Sequence, residues 1–167
     1  NIEINEVRCI NGVSLIVNRL EKGGKAYFSK RSFQEVINPF YKLIQDLYNP
    51  EVVLDIGANY GFTSNIFARI FQDAEVIAIE PSRKLCRYIN LNKEINGNKN
   101  ITIIRAICDE INGLTKDFSI NPLYSQDNRV KGDSVFWKKE KVITTSIDSI
   151  LKEKGQGNFI FIKIDTQ

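Results

Sequence analysis

Apolar residues alternate with polar ones at the start of this chain, recur at helical spacing next, and then gather into short unbroken runs. Ile2, Ile4, Val13, Leu15 and Val17 hold every second position on either side of Asn11-Gly12. A period of two around an Asn-Gly pair predicts a hairpin or two short strands over residues 1–20. Gly23-Gly24 is expected to break the chain. Phe33, Val36, Ile37, Phe40, Tyr41, Ile44, Leu47 and Tyr48 then return every three or four positions, the spacing of an amphipathic helix. Ser32-Phe33-Gln34-Glu35 is a capping-box pattern for its start. Asn38-Pro39 predicts a kink or a restart with Asn38 as cap, and Asn49-Pro50 an end. Residues 1–50 are thus expected to form an extension of strands plus a helix, packed on the main domain and open to a role as a substrate lid.

From residue 51 the pattern becomes strand, helix, strand. Val52–Ile56 is an apolar run suited to a central parallel strand. Ile66, Phe67, Ile70 and Phe71 give the following helix its apolar face, with Thr63 or Ser64 as cap. Glu75–Glu80 reads as the second strand, and Pro81-Ser82 starts a helix that Gly97 stops. Ile101–Ile107 is the third strand. This alternation predicts an α/β fold, a doubly wound, mostly parallel, Rossmann-like sheet with right-handed crossovers. Leu114–Ile120 fits a short edge strand, Val142–Thr145 another strand, Ser146–Lys154 a helix, and Gly155–Gly157 a turn. Residues 121–140 are polar and turn-rich around a lone Trp137, long enough to be functional or mobile. Phe159–Asp165 is the fourth core strand. A strand this apolar calls for a neighbour on each side, and only two residues follow it. Residues 51–167 are therefore expected to be a domain whose C-terminal part is missing.

Composition narrows the function classes. With 43% apolar and 26% charged residues among 167, the chain suits one soluble domain with a real core. A net charge of +3 gives no signature of nucleic-acid binding. The densest basic patch, Lys138-Lys139-Glu140-Lys141, reads as a solvated loop. Cys9, Cys86 and Cys108 lack metal-ligand spacing, so reduced, mostly buried thiols in a cytoplasmic protein are expected, with no structural metal. No stretch reaches membrane-span length, and no signal-peptide pattern opens the chain. There is no methionine, so Asn1 is not expected to be the native start. There is no histidine, so any base must be Asp, Glu, Lys, Tyr or Cys.

The strongest chemical signal lies in Val52 to Ser64. An apolar run ends in Asp55, and Gly57 and Gly61 follow, four apart, ahead of a helix start. A turn of this kind, at the carboxyl end of a parallel strand, is where doubly wound sheets bind cofactors. A phosphate-cradling loop has no use for a carboxylate at its mouth. A cationic ligand does, and the sulfonium cofactor S-adenosylmethionine (SAM) is one. Gly57, Ala58, Asn59, Tyr60 and Gly61 are candidates to turn their amides to the cofactor. Asp55 is a candidate to meet its amino group or to hold the loop. Glu80, 25 residues past Asp55, suits the vicinal diol of an adenosine ribose. The backbone of Ile107 and the side chain of Asp109 would flank adenine. Asp165, at the end of the fourth strand, would sit by the transferable methyl. There it would orient an acceptor, act as a base towards a hydroxyl or hold a divalent ion, with Lys163 as an ion-pair partner. Each has a plainer reading, as a glycine corner, a strand-end acid or a turn-capping acid. Two rival functions stay open. A nicotinamide-dinucleotide domain expects G-x-G-x-x-G, where this chain has Gly57-x-x-x-Gly61, and a non-catalytic SAM-binding or scaffold module needs no acceptor site.

Asp55-Ile56-Gly57-Ala58-Asn59-Tyr60-Gly61 followed by Ile79-Glu80-Pro81 is similar to the FkbM-type SAM-dependent methyltransferases. The resemblance continues through Ala106–Gly113, Thr145–Leu151 and Ile162–Gln167, and covers roughly residues 51–167. It implies a class I methyltransferase fold with SAM as cofactor. By position, Asp55, Gly57, Asn59 and Gly61 fall in the SAM turn, Glu80 on the ribose and Asp109 near adenine. It also implies methylation of hydroxyl groups on sugars, polyketides or similar small-molecule or glycan acceptors. The chain departs from the family pattern where Thr166-Gln167 stand in place of a frequent Val-Glu, and where a following Gly is absent.

Overall fold

The computed structural model describes residues 3–28, 34–130, 132, 136–154 and 159–166, with 34–37 as backbone alone. The expected capping box at 32–35 and the turn at 155–157 lie outside or only partly inside the described residues. Strand β1 (Asn5–Ile10) pairs antiparallel with β2 (Val13–Asn18). Asn11 (φ 52°) and Gly12 (φ 76°) both take the left-handed turn conformation that a two-residue hairpin requires. Val13, Leu15 and Val17 are fully buried.

Gly23-Gly24 does not break the chain. Both lie in a short helix, α1 (Lys22–Ala26). The carboxylate of Glu21 accepts from the amides of Gly23 (2.9 Å) and Gly24 (3.1 Å) and so starts the helix. A Cβ on Gly24 would come within 2.5 Å of the Asn18 carbonyl oxygen, so small size here serves close packing on β2. Helix α2 (Gln34–Tyr48) runs through Pro39 without restarting. Its Tyr41 packs on Phe67 (4.8 Å between ring centroids) and Phe161 (5.9 Å), and that burial outweighs one lost backbone bond. Asn49, with φ 42°, ends the helix.

The main sheet uses β3 (Val52–Ile56), β4 (Glu75–Ile79), β5 (Ile101–Ile104) and a late strand that is reached through a second, smaller sheet. Between them run α3 (Phe62–Ile70) and α4 (Arg83–Ile95). The expected third strand splits at Arg105-Ala106, and Ile107–Cys108 becomes β6. Strand β7 (Thr115–Ile120) pairs antiparallel with β8 (Lys138–Thr145), and β6 joins the other edge of β8. The basic patch 138–141 is therefore strand, not a solvated loop. Lys141 pairs with Asp117 (2.8 Å) and Glu140 with Arg105 (2.8 Å), partners that local sequence does not reveal. After α5 (Ile147–Lys154), β9 (Ile160–Ile164) completes the parallel order β5-β4-β3-β9. Chain direction across the sheet reverses at β3, so the crevice beyond β3 and β9 is the switch point where such sheets bind ligands.

Helix α3 also departs from expectation at its start. Gly61, left-handed at φ 77°, takes the cap position, and Thr63 and Ser64 lie inside the helix. Ser82 caps α4 as expected, and Gly97 (φ 68°) follows its end. The two sheet faces have different covers. Val53, Val76 and Ala78 meet α2, α3, α4 and the hairpin, while Leu54, Ile56, Ile77 and Ile79 meet α5. The three cysteines are free, but Cys9 is exposed and Cys86 and Cys108 only half-buried; Cys9 lies on β1, an outer strand paired only with β2 and exposed along most of its length. Among the described residues no helix is long and apolar enough to cross a membrane.

Asn92 ties the hairpin to the first turn of the sheet. Fully buried on α4, its amide donates to the carbonyls of Tyr60 (2.8 Å) and Ile16 (3.1 Å), and its oxygen accepts from the Ile16 amide (2.6 Å). Asn92→Leu leaves three backbone groups without partners and is expected to cost about 3 kcal/mol in urea unfolding.

Candidate functional site

The turn after β3 is shaped by its neighbours. A Cβ on Gly57 (φ 80°) would come within 2.1 Å of the Asp165 carbonyl oxygen, so only glycine lets the exit of β9 pass beside it. The amides of Gly57 and Ala58 donate to the Ile79 carbonyl (3.0 and 3.1 Å), and that of Gly61 to Ala58 (2.8 Å). Asn59 donates its amide to Glu80 Oε2 (3.0 Å), and Tyr60 donates to Asn59 Oδ1 (2.9 Å). The loop amides from Gly57 to Gly61 are thus committed to protein acceptors rather than turned outward, because the turn stabilises itself against the end of β4. Gly57, Ala58 and Asn59 line a cavity of about 450 Å³ above the strand ends, and Tyr60 and Gly61 stand behind its wall. Tyr60 is fully buried and donates its hydroxyl to Glu21 Oε2 (2.6 Å).

Asp55 does not reach the cavity. It is fully buried, accepts from Ser64 Oγ (2.6 Å), and sits 3.0 Å from Lys163 Nζ, its cross-strand neighbour on β9. Its charge is paired with Lys163, and among the described residues no loop amide donates to it. Lys163 does line the cavity, and its ammonium also lies 3.6 Å from Asp165 Oδ2. Burial works to discharge Lys163, but Asp55 and then Asp165 outweigh it and hold the ammonium above its usual range. Asp165 itself lies at the rim with its side chain 80% exposed.

Glu80 forms the middle of the wall. It is 4% exposed, and its two oxygens accept from the amides of Ser82 (2.9 Å) and Asn59 (3.0 Å). A carboxylate has about four acceptor positions, so two stay open to the cavity. Burial pushes its pKa up to about 7 against the pull of those two amides. Ile107 and Cys108 line the far end. Asp109 does not. It is paired with Lys116 and receives the Ile111 amide (3.4 Å), because β6 turns away to join β8.

The opposite wall was not visible in the sequence pattern. Tyr27 comes from the end of α1, Phe118 from β7, and Ser125, Gln126, Asn128 and Val130 from the segment joining β7 to β8. That segment, whose length and polarity suggest function or mobility, holds a turn of 3₁₀ helix at Ser125–Asp127. Glu21 gathers the wall. Besides Gly23, Gly24 and Tyr60, its carboxylate accepts from the Ser125 amide. The Lys22 amide donates to the Leu123 carbonyl (2.9 Å). An acid beside a Gly-Gly pair was the one available signal. Among the described residues no group of three or more His, Cys, Asp or Glu side chains is placed to hold a metal ion.

Known proteins resemble this chain in sequence and in fold. The family described as the methyltransferase FkbM domain matches residues 55–167. A SAM-dependent methyltransferase from Agrobacterium tumefaciens superposes with a TM-score of 0.51 at 18% identity, over 64% of this chain and 34% of that one. TYW2 from M. jannaschii in complex with AdoMet gives 0.47 at 19%, over 62% and 44%. Methyltransferase FkbM from Methylobacillus flagellatus gives 0.44 at 18%, over 71% and 26%. The chain thus spans about a third of the length of the Agrobacterium protein. At such identity the first superposition shows a shared fold. None of the curated proteins matches the sequence.

Proposed function

Because this chain belongs to the FkbM methyltransferase domain family, a SAM-dependent family, we propose that residues 51–167 bind SAM in the cavity beyond β3 and β9 and, in the whole protein, direct its methyl to a hydroxyl group on a sugar, glycan or other small acceptor. The observation that carries this reading is one cavity with Glu80 in its wall and Asp165 at its rim. The open acceptor positions of Glu80 take the two ribose hydroxyls. Gly57, Ala58 and Asn59 pack beneath the ribose and methionine portion, and Ile107 and Cys108 flank adenine. When bound, SAM supplies an electrophilic methyl on a good leaving group, so the chain contributes mainly position. Asp165 orients the acceptor and takes its hydroxyl proton late in the step. On this reading residues 1–50 are an extension that lends Tyr27 to the cavity wall, and residues 51–167 are the donor domain. Three unpaired thiols fit a reducing, cytoplasmic setting.

Calorimetry with SAM, its demethylated product S-adenosylhomocysteine, and NAD tests the donor. Binding of NAD alone would overturn the reading. Isotope-labelled SAM with hydroxyl-bearing acceptors tests the transfer.

Glu80 makes SAM binding depend on pH. Its pKa in the free protein is raised from 4.5 to about 7, so the folded chain holds this proton where the unfolded chain has lost it. Glu80 therefore stabilises the fold least above pH 7, and stability falls as pH rises between those values. Ribose hydroxyls donate to the ionised carboxylate and lower that pKa. SAM affinity is accordingly expected to rise with pH up to about 7, with release of a proton. Calorimetry near pH 6 in two buffers of different ionisation enthalpy measures the release. Glu80→Gln should abolish it and weaken SAM about tenfold.

A further inference from the structure

Tyr27 is the aromatic side chain in the cavity wall that comes from the N-terminal segment. Its ring is fixed edge-on between Tyr60 (centroids 5.9 Å apart, 78° between planes) and Phe62 (5.7 Å, 68°). The helix that carries it is fixed as well. Glu21 caps the start of α1, Tyr27 closes its end, and the Glu21 carboxylate is held by Tyr60 and Ser125. The ring is thus preorganised by both the strand-turn-helix unit and the opposite wall.

We propose that Tyr27 recognises the positive sulfur of the donor, its ring forming the wall at the β3/β9 end of the cavity. This rests on the SAM reading above and adds the residue that reads the ligand's charge. Position supports it. With adenine at Ile107 and ribose at Glu80, the sulfur falls beyond β3, towards Asp165. Tyr27 packs on Tyr60 and Phe62, which flank Gly61 in the turn that leaves β3, and this sets the ring at that same end. Burial, with Asp55 and Asp165 after it, holds the hydroxyl protonated. Chemistry supports it too. Lys163 is locked between two carboxylates, leaving this corner with an excess of negative charge. An aromatic ring beside a desolvated cation adds an attraction that a neutral thioether does not receive.

The test compares SAM with S-adenosylhomocysteine, which lacks the charge. Affinities are measured by calorimetry for the native chain, Tyr27→Phe and Tyr27→Leu. A series of mono- to trifluorinated phenylalanines placed at position 27 is added, which keeps the volume nearly constant and so keeps the fold. The ratio of SAM to S-adenosylhomocysteine affinity is expected to hold within about twofold in Tyr27→Phe, to fall stepwise with fluorination, and to fall about tenfold in Tyr27→Leu. A ratio that stays constant across the fluorinated series, with both ligands still bound, would overturn the role of Tyr27 and leave the donor reading intact. A native chain that binds neither ligand would overturn both.

Discussion

Lys163→Met is expected to cost about 3–5 kcal/mol of folding stability, among the largest losses any single side chain here can cause. Asp55 is fully buried in the sheet, and apart from Ser64 Oγ its compensation is the ammonium 3.0 Å away. Removing the cation alone strands that carboxylate in the sheet beside its register partner Ala78, a member of the apolar core. Adding Asp55→Asn should return part of the loss, because the paired removal abolishes the buried charge that the single one exposes. Urea unfolding of the two single variants and the double gives the coupling. Additive losses would show that the pair does not act as a unit.

Asp165→Asn should act in the opposite manner, on rate and not on folding. Its side chain stands in solvent at the cavity rim, so stability should hold within about 0.5 kcal/mol. On the proposed reading the asparagine still orients an acceptor but takes no proton, and kcat should fall about 10²- to 10⁴-fold. SAM affinity should fall only a few-fold, because Asp165 acts on the donor through a solvent-screened charge at the rim while the direct contacts are made elsewhere in the wall. Single-turnover transfer in the whole protein measures the rate. A loss of less than about threefold would move the base to another residue.

The sheet was legible because burial writes itself into local pattern. Val52–Ile56 and Ile160–Ile164 are apolar runs with one interruption each, Asp55 and Lys163, and the two interruptions face each other in the register. The alternation of strand and helix gave the crossovers. What sequence concealed was settled by partners distant in the chain. Gly23-Gly24 reads as a break until Glu21 is seen to cap both amides. Lys138–Lys141 reads as a loop until Asp117 from β7 and Arg105 from the link between β5 and β6 arrive to answer its charges. Asp55 and Asp109 were sought at the ligand as lone acids, yet each had a lysine nearby in space. Polar contacts of this kind carry no period, so the wall made by Tyr27, Ser125 and Asn128 left no trace in the pattern of apolar positions.

The close approach of Gly57 to the Asp165 carbonyl has a further effect on what this scaffold can vary. Main chain rests on main chain there, so the gap between the donor turn and the rim acid behaves as a fixed gauge that no side-chain exchange can reset. On the proposed reading, a different acceptor falls to the wall across from it, where side chains such as Ser125, Gln126 and Asn128 can be exchanged without moving the main chain of the turn.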